Sequence, residues 1–176
     1  MGGPRHLEGC ISVGPWGGSS GNEWHYKATS DITKIIITHG GAIDSILFKS
    51  DNDDGSMEYS NKFGGKGGSR TDKVDIDSPL EYLTGISGTY GSFKLFGPMA
   101  ITSLEFQTNL TKYGPFGNQS GSIFSLPMEG GVIVGFHGRA RQFLEAIGVY
   151  VRPISLVCAP SSSYEIDETQ NEIVMD

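Results

Sequence analysis

Only two cysteines, Cys10 and Cys158, stand in the 176 residues, so no disulfide framework holds this chain together. They leave two readings, a staple between the ends of the sequence or two thiols in a reducing compartment. Residues 1–10 lack the apolar core of a secretory signal, which favours the second reading and a cytoplasmic, or also nuclear, location. No apolar run approaches the roughly 20 residues that a membrane-spanning helix needs. Basic residues are in deficit. Thirteen Lys and Arg against 20 Asp and Glu give a net charge of −7, which argues against nucleic acid or an anionic membrane surface as the main partner. Helical stripes are lacking as well, and glycine-rich breaks at 64–68, 85–91 and 114–121 would interrupt any helix laid across them.

Glycine is plentiful instead, at 26 residues, and it is spread among short apolar runs. That pattern suits many short strands joined by tight turns. The apolar residues recur with period two: Ile35 and Ile37, Ile46 and Phe48, Leu104 and Phe106, then Ile147, Val149 and Val151. Each set lines one face of a strand, so the chain reads as all-β. Segments 32–37, 101–106 and 144–149 share the pattern apolar, x, x, apolar, x, apolar. Such a repeat predicts three similar sheets around a common core. The organisation expected is a flexible extension at 1–10, one domain at 11–152 and an acidic, disordered tail at 153–176.

Motifs for catalysis and metal binding fail on context. Gly17-Gly18-Ser19-Ser20-Gly21 spells a nucleophile elbow, which works only between a buried strand and a helix, and no helix follows here. Lys66 lies in a glycine-rich stretch, yet Ser60 stands where a phosphate loop needs its first glycine and Gly67 follows the lysine. Asp51-Asn52-Asp53-Asp54-Gly55 reads as a solvated turn, since a calcium loop in that register would end on Asn61 instead of a glutamate. His6, His25, His39 and His137 show no zinc spacing. No cofactor is implied and no enzyme is expected.

Several segments together resemble the jacalin-related lectins, in particular the mannose-specific plant branch. They are Val13-Gly14-Pro15-Trp16-Gly17-Gly18, then Lys112-Tyr113-Gly114-Pro115-Phe116-Gly117, then Ile133 to Arg139 and Leu144 to Tyr150. The resemblance implies a β-prism of three four-stranded antiparallel sheets with pseudo-threefold symmetry. It also implies a lectin for mannose- or glucose-type glycans, without catalysis, in which multivalence would need a homo-oligomer. A protein-interaction module on the same scaffold, serving plant defence or stress responses, is the alternative.

Sugars offer hydroxyls in fixed directions, so a binder needs close-approaching N–H groups, a bidentate carboxylate and an aromatic surface. On the family's pattern Gly17 and Gly18 supply backbone amides. The loop 138–145 gives N–H groups near Gln142 and Phe143 plus the Glu145 carboxylate, and residues 88–92 with Tyr90 form a specificity wall. The family's loop carries Gly-x-x-x-Asp where this chain has Arg141-Gln142-Phe143-Leu144-Glu145. Glu145 moves the carboxylate by about 1.5 Å, one bond length. Arg141 is expected to crowd the pocket, to pair with Glu145, or to donate to a sugar hydroxyl or an acidic sugar.

Overall fold

The computed structural model describes residues 9–154, and within them every regular element is a strand. The readings of nearly all of the tail, of most of the N-terminal extension and of a Cys10–Cys158 staple fall outside those residues, while Pro153, read as the first residue of the tail, ends a strand.

Thirteen strands build three antiparallel sheets. The first runs β1 (Ile11–Gly17), β13 (Leu144–Pro153), β12 (Gly131–Ala140), β2 (Asn22–Lys27). The second runs β10 (Lys112–Gly117), β9 (Met99–Thr108), β8 (Leu83–Ser92), β11 (Ser122–Pro127). In the third, β4 (Ile43–Asp51) and β3 (Asp31–His39) are central and β7 (Arg70–Asp75) forms one edge. Its other edge is a broken strand, β5 (Met57–Tyr59) and β6 (Phe63–Gly64), both paired to β4, so five strands fill four positions. This is the β-prism.

The symmetry is visible in the core. The second strands of the three central hairpins, β4, β9 and β13, each direct three apolar residues inward. Ile43, Ile101 and Leu144 form one layer, Ile46, Leu104 and Ile147 the next, and Phe48, Phe106 and Val149 the third, all at 0% exposure. Nine such side chains stabilise the fold by roughly 1.5–3 kcal/mol each before ordering costs. The repeat reading is therefore corrected in one respect. Residues 32–37 lie on β3, and the equivalents of 101–106 and 144–149 are residues 43–48 on β4. Both strands of a hairpin face one core, so the apolar spacing does not separate them.

Aromatic residues lock each sheet to the next around the axis. Trp16 of the first sheet stacks on Phe124 of the second at 5.0 Å, and Phe63 of the third stacks on Trp24 of the first at 4.3 Å. Phe116 of the second meets His39 of the third at 6.2 Å, which closes the ring of contacts. Pairs of this kind add about 0.5–1.5 kcal/mol beyond their area burial.

Candidate functional site

One end of the prism gathers the three hairpin tips, residues 40–42, 93–98 and 141–143. Phe93 meets Phe143 edge-on at 4.8 Å, and a Cβ on Gly41 would lie 3.4 Å from the Phe93 ring. Beside these tips each sheet repeats one local device. An aromatic residue is followed by glycine in Trp16-Gly17, Phe63-Gly64 and Phe116-Gly117. Gly17, Gly64 and Gly117 hold φ of 125°, 123° and 87°. A Cβ on them would fall 2.3, 2.1 and 2.3 Å from the carbonyl oxygens of Glu145, Asp44 and Thr102. Only glycine fits. The next N–H donates to that same carbonyl: Gly18 to Glu145 at 2.8 Å, Gly65 to Asp44 at 2.9 Å, and Asn118 to Thr102 at 2.8 Å. Glu145, Asp44 and Thr102 thus occupy equivalent positions in three equivalent corners.

The corners differ in what the polar side chain is free to do. Thr102 is tied up, donating to the Ser120 carbonyl at 2.6 Å and sharing a proton with the Thr89 hydroxyl at 2.7 Å. The Glu145 carboxylate accepts a hydrogen bond from the Ser20 hydroxyl at 2.9 Å and leans over Gly21, where a Cβ would come within 2.4 Å of Oε2. The Asp44 carboxylate accepts no hydrogen bond from the described residues, although the residue is only 5% exposed. Three residues past Gly64, in the place that Ser20 takes beside Glu145, stands Gly67, where a Cβ would lie 2.7 Å from Oδ1. The missing side chain leaves that face of Asp44 uncapped. Burial pushes the Asp44 carboxyl above its ordinary value, against the pull of His39, Lys62 and Lys94.

Backbone donors accompany the carboxylate. In the tip 40–42 the Gly40 N–H donates to the Ala42 carbonyl at 3.0 Å, and in the tip 141–143 the Arg141 N–H donates to Phe143 at 3.1 Å. The N–H groups of Gly41 and Ala42, like those of Gln142 and Phe143, have no partner among the described residues. Asp44 with Gly41 and Ala42 therefore presents two acceptor oxygens beside two unused donors. Hydroxyl pairs on a sugar ring need that combination.

The residues picked out in sequence distribute as follows. Gly17, Gly18 and Glu145 meet in one corner, with the Gly18 N–H already given to the Glu145 carbonyl. Arg141 is exposed, and no ion pair joins it to Glu145 among the described residues. Gln142 turns toward the Asp44 corner, where its carbonyl would lie 2.1 Å from a Cβ on Gly65. Phe143 packs on Phe93. Tyr90, half-buried on β8, reaches Phe124 at 6.3 Å, and Phe124 in turn stacks on Trp16. The sequence reading missed Asp44. Its signal was present, because Gly40-Gly41-Ala42-Ile43-Asp44 is an intact Gly-x-x-x-Asp loop.

The remaining motifs resolve into turns. Ser19 sits in the β1–β2 loop with no helix after it, Lys66 in the β6–β7 loop, and Asp51–Gly55 in a turn closed by the Gly55 N–H on the Asn52 carbonyl at 2.9 Å. A more apolar cleft lies at the opposite end of the prism, among Ile32, Pro79, Leu83, Val134 and Arg152. Both its acids are engaged, Glu81 accepting from Tyr113 at 2.7 Å and Thr108 at 2.8 Å and Asp31 accepting from Ser78 at 2.5 Å, so it offers a ligand no comparable grip.

The jacalin-like lectin domain profile matches residues 13–150. The chain belongs to the jacalin-like lectin family. Lectins of this family bind carbohydrate and are not enzymes. The chain is 48% identical over 160 residues to jacalin-related lectin 3 of Arabidopsis thaliana, covering 91% of itself and 26% of that protein. It is 49% identical over 158 residues to the mannose/glucose-specific lectin of Parkia pendula, covering 88% of itself and 34% of that protein. It therefore spans about a quarter to a third of the length of these relatives. Among solved structures, the agglutinin of Calystegia sepium superposes with a TM-score of 0.74 at 37% identity, over 81% of this chain and 96% of that one.

Proposed function

We propose that this jacalin-like domain is a lectin for mannose- or glucose-type glycans, and that its principal site is the Asp44 corner. The observation that carries the reading is the carboxylate of Asp44, a residue only 5% exposed, with no hydrogen bond from the described residues and with two unused backbone N–H groups in the same glycine-lined loop. A carboxylate left without protein donors is free to accept hydrogen bonds from a ligand, and a stable fold alone gives no reason to leave it uncapped. A pair of sugar hydroxyls donating to Oδ1 and Oδ2 supplies the missing bonds, each of the charge-assisted kind. The similarity to a mannose/glucose-specific lectin supports the same ligand class.

The Glu145 corner, with Gly17, Gly18, Arg141, Gln142 and Phe143 and with Tyr90 behind it, is a second, weaker locus. Ser20 must release the Glu145 carboxylate before a sugar enters. Two loci in one chain give some bivalence without an oligomer, and a homo-oligomer would add to it. Individual affinity of a few hydrogen bonds is roughly millimolar, so avidity determines useful binding. Retention on immobilised mannose tests the assignment: Asp44→Ala removes most of it, whereas Glu145→Ala lowers it only slightly. Equal retention of both variants would remove the assignment.

A further inference from the structure

The chain carries a net charge of −7, yet the end of the prism that holds the Asp44 corner is locally basic. Lys62, Lys66, Lys94 and Arg141 all stand on its loops and are all exposed. None of the four is in an ion pair among the described residues, whereas Arg139 holds Glu23 at 3.0 Å and Arg70 holds Asp72 at 3.0 Å. Two acids toward this end, Glu23 and Asp72, thus already hold cations of their own. The remaining carboxylates of the two corners, Asp44 and Glu145, leave the cations in excess.

Lys62, Lys94 and Arg141 come from loops of three different sheets and lie around one place. Lys62 and Arg141 line the same groove between β2, β6 and β12. The loop that follows Lys62 is pressed so closely on the tip 141–143 that a Cβ on Gly65 would meet the Gln142 carbonyl at 2.1 Å. From the other side, the Lys94 ammonium lies 5.3 Å from the Phe93 ring and 5.9 Å from the Phe143 ring. The Phe93 ring in turn packs on Gly41 of the Asp44 loop. Lys62 and Lys94 both act on the charge of Asp44. Neutral hydroxyls need no cations at the rim, and exposed lysines without partners add little to stability. A ligand that is neutral where Asp44 grips it and negative a few ångströms away would use both features together.

We infer that the Asp44 corner selects glycans in which the gripped hexose carries, or is linked directly to, an anionic group, which Lys62 and Lys94 receive while Arg141 and Lys66 extend the positive rim. Carboxylate, phosphate and sulfate share the chemistry required. This inference rests on the sugar-binding reading above and narrows its ligand.

The test is titration calorimetry of the intact chain against a matched panel: a neutral mannose oligosaccharide, mannose 6-phosphate, a mannuronate oligosaccharide and a sulfated mannose oligosaccharide, with inorganic phosphate as control. At 50 mM salt at least one anionic glycan binds about fivefold more tightly than its neutral counterpart, as two exposed ion pairs imply. At 500 mM salt that preference shrinks below about twofold, because screening removes surface attraction. The double variant Lys62→Ala/Lys94→Ala loses the preference and keeps neutral-sugar affinity, and Asp44→Ala loses the preference together with all but the weak binding of the Glu145 corner. The arm that responds identifies the anion. Equal or weaker binding of all anionic glycans, with neutral binding intact, overturns the inference and spares the lectin reading. Binding of inorganic phosphate as tightly as the sugars, or survival of the preference in the lysine variant, overturns it too. Anionic binding that needs Asp44 without any neutral binding upholds the inference and removes the neutral-glycan reading, and no binding at all removes both.

Discussion

Replacing Asp44 by asparagine separates function from stability in a way that few binding-site changes do. The side chain keeps its shape and one acceptor oxygen but loses its charge. A hydrogen bond to a charged group contributes about 1.5–3 kcal/mol and a neutral one about 0.5–1.5 kcal/mol, so two hydroxyl contacts weaken by about 2–3 kcal/mol together. That is roughly a 30- to 150-fold loss, enough to carry a millimolar sugar beyond detection. The effect on folding has the opposite sign. Burial raises the folded-state pKa of Asp44, so the folded protein holds this proton more tightly than the unfolded chain does. Ionisation then costs stability as pH rises from the unfolded value through the folded one, and the cost is fully present above the folded value. Asp44→Asn removes it. Calorimetry with methyl α-mannoside therefore shows binding abolished, and a thermal melt at pH 7 shows Tm unchanged or higher, with the difference vanishing in acid. Retained sugar affinity in this variant, or a Tm lowered by more than about 5 °C, over 1 kcal/mol for a chain of this size, would refute the reasoning.

Sugar binding by the native protein falls in acid with a midpoint above the ordinary aspartate value of 3.8, since Asp44 must be ionised to accept two hydroxyl protons; affinity unchanged down to pH 3.5 contradicts this. Ser20→Gly together with Arg141→Gly and Glu145→Asp rebuilds in the first sheet what Gly67, Gly40 and Asp44 form in the third, and calorimetry then shows the weak second site bind with an affinity close to that of the first. Gly64→Ala forces a Cβ to 2.1 Å from the Asp44 carbonyl at a φ of 123°, which costs about 1–3 kcal/mol of backbone strain and is read as a lower Tm with weakened sugar binding. At the far end of the prism, burial alone would raise the Glu81 carboxyl, but hydrogen bonds from Tyr113, the Asp77 N–H and Thr108 hold it below its ordinary value. The bond to Glu81, with burial, pushes Tyr113 up to about 12. Glu81 thus adds stability above the unfolded carboxylate pKa that is lost as pH falls through the lower folded value. Tyr113 adds stability that is lost as pH rises from its ordinary value of 10.0 to about 12. Tyr113→Phe flattens both limbs of the stability profile, and a profile unchanged by it removes this account.

The architecture was legible because a β-prism states its pattern three times. Period-two apolar residues at 46 and 48, 104 and 106, and 147 and 149 mark strands whose inner faces meet at one axis. The glycine–proline–aromatic–glycine segments at 14–17 and 114–117 mark two of the equivalent edge strands. Register within the repeat was harder, since β3 and β4 line the same core and both carry the spacing. Matching 32–37 instead of 43–48 hid the alignment of Asp44 with Glu145. The Gly-x-x-x-Asp loop at 40–44 is readable as it stands, whereas the C-terminal copy, with Arg141 and Glu145 at its two anchor positions, runs directly into the Leu144–Tyr150 segment that carries the family resemblance. What sequence alone withheld is which carboxylate is free. That turns on the Ser20 hydroxyl reaching Glu145 at 2.9 Å while Gly67 leaves Asp44 uncapped, a contact between loops more than 100 residues apart.

Backbone amide chemical shifts followed by NMR during titration with methyl α-mannoside locate the sugar without any substitution. The largest and earliest shifts fall on Gly41, Ala42 and Asp44 and on residues 64–68, and any response near Glu145 comes only at higher concentration. Shifts centred on Glu145, on the cleft around Ile32 and Leu83, or on no part of the glycine-lined end would contradict the assignment of Asp44 as the sugar-gripping carboxylate.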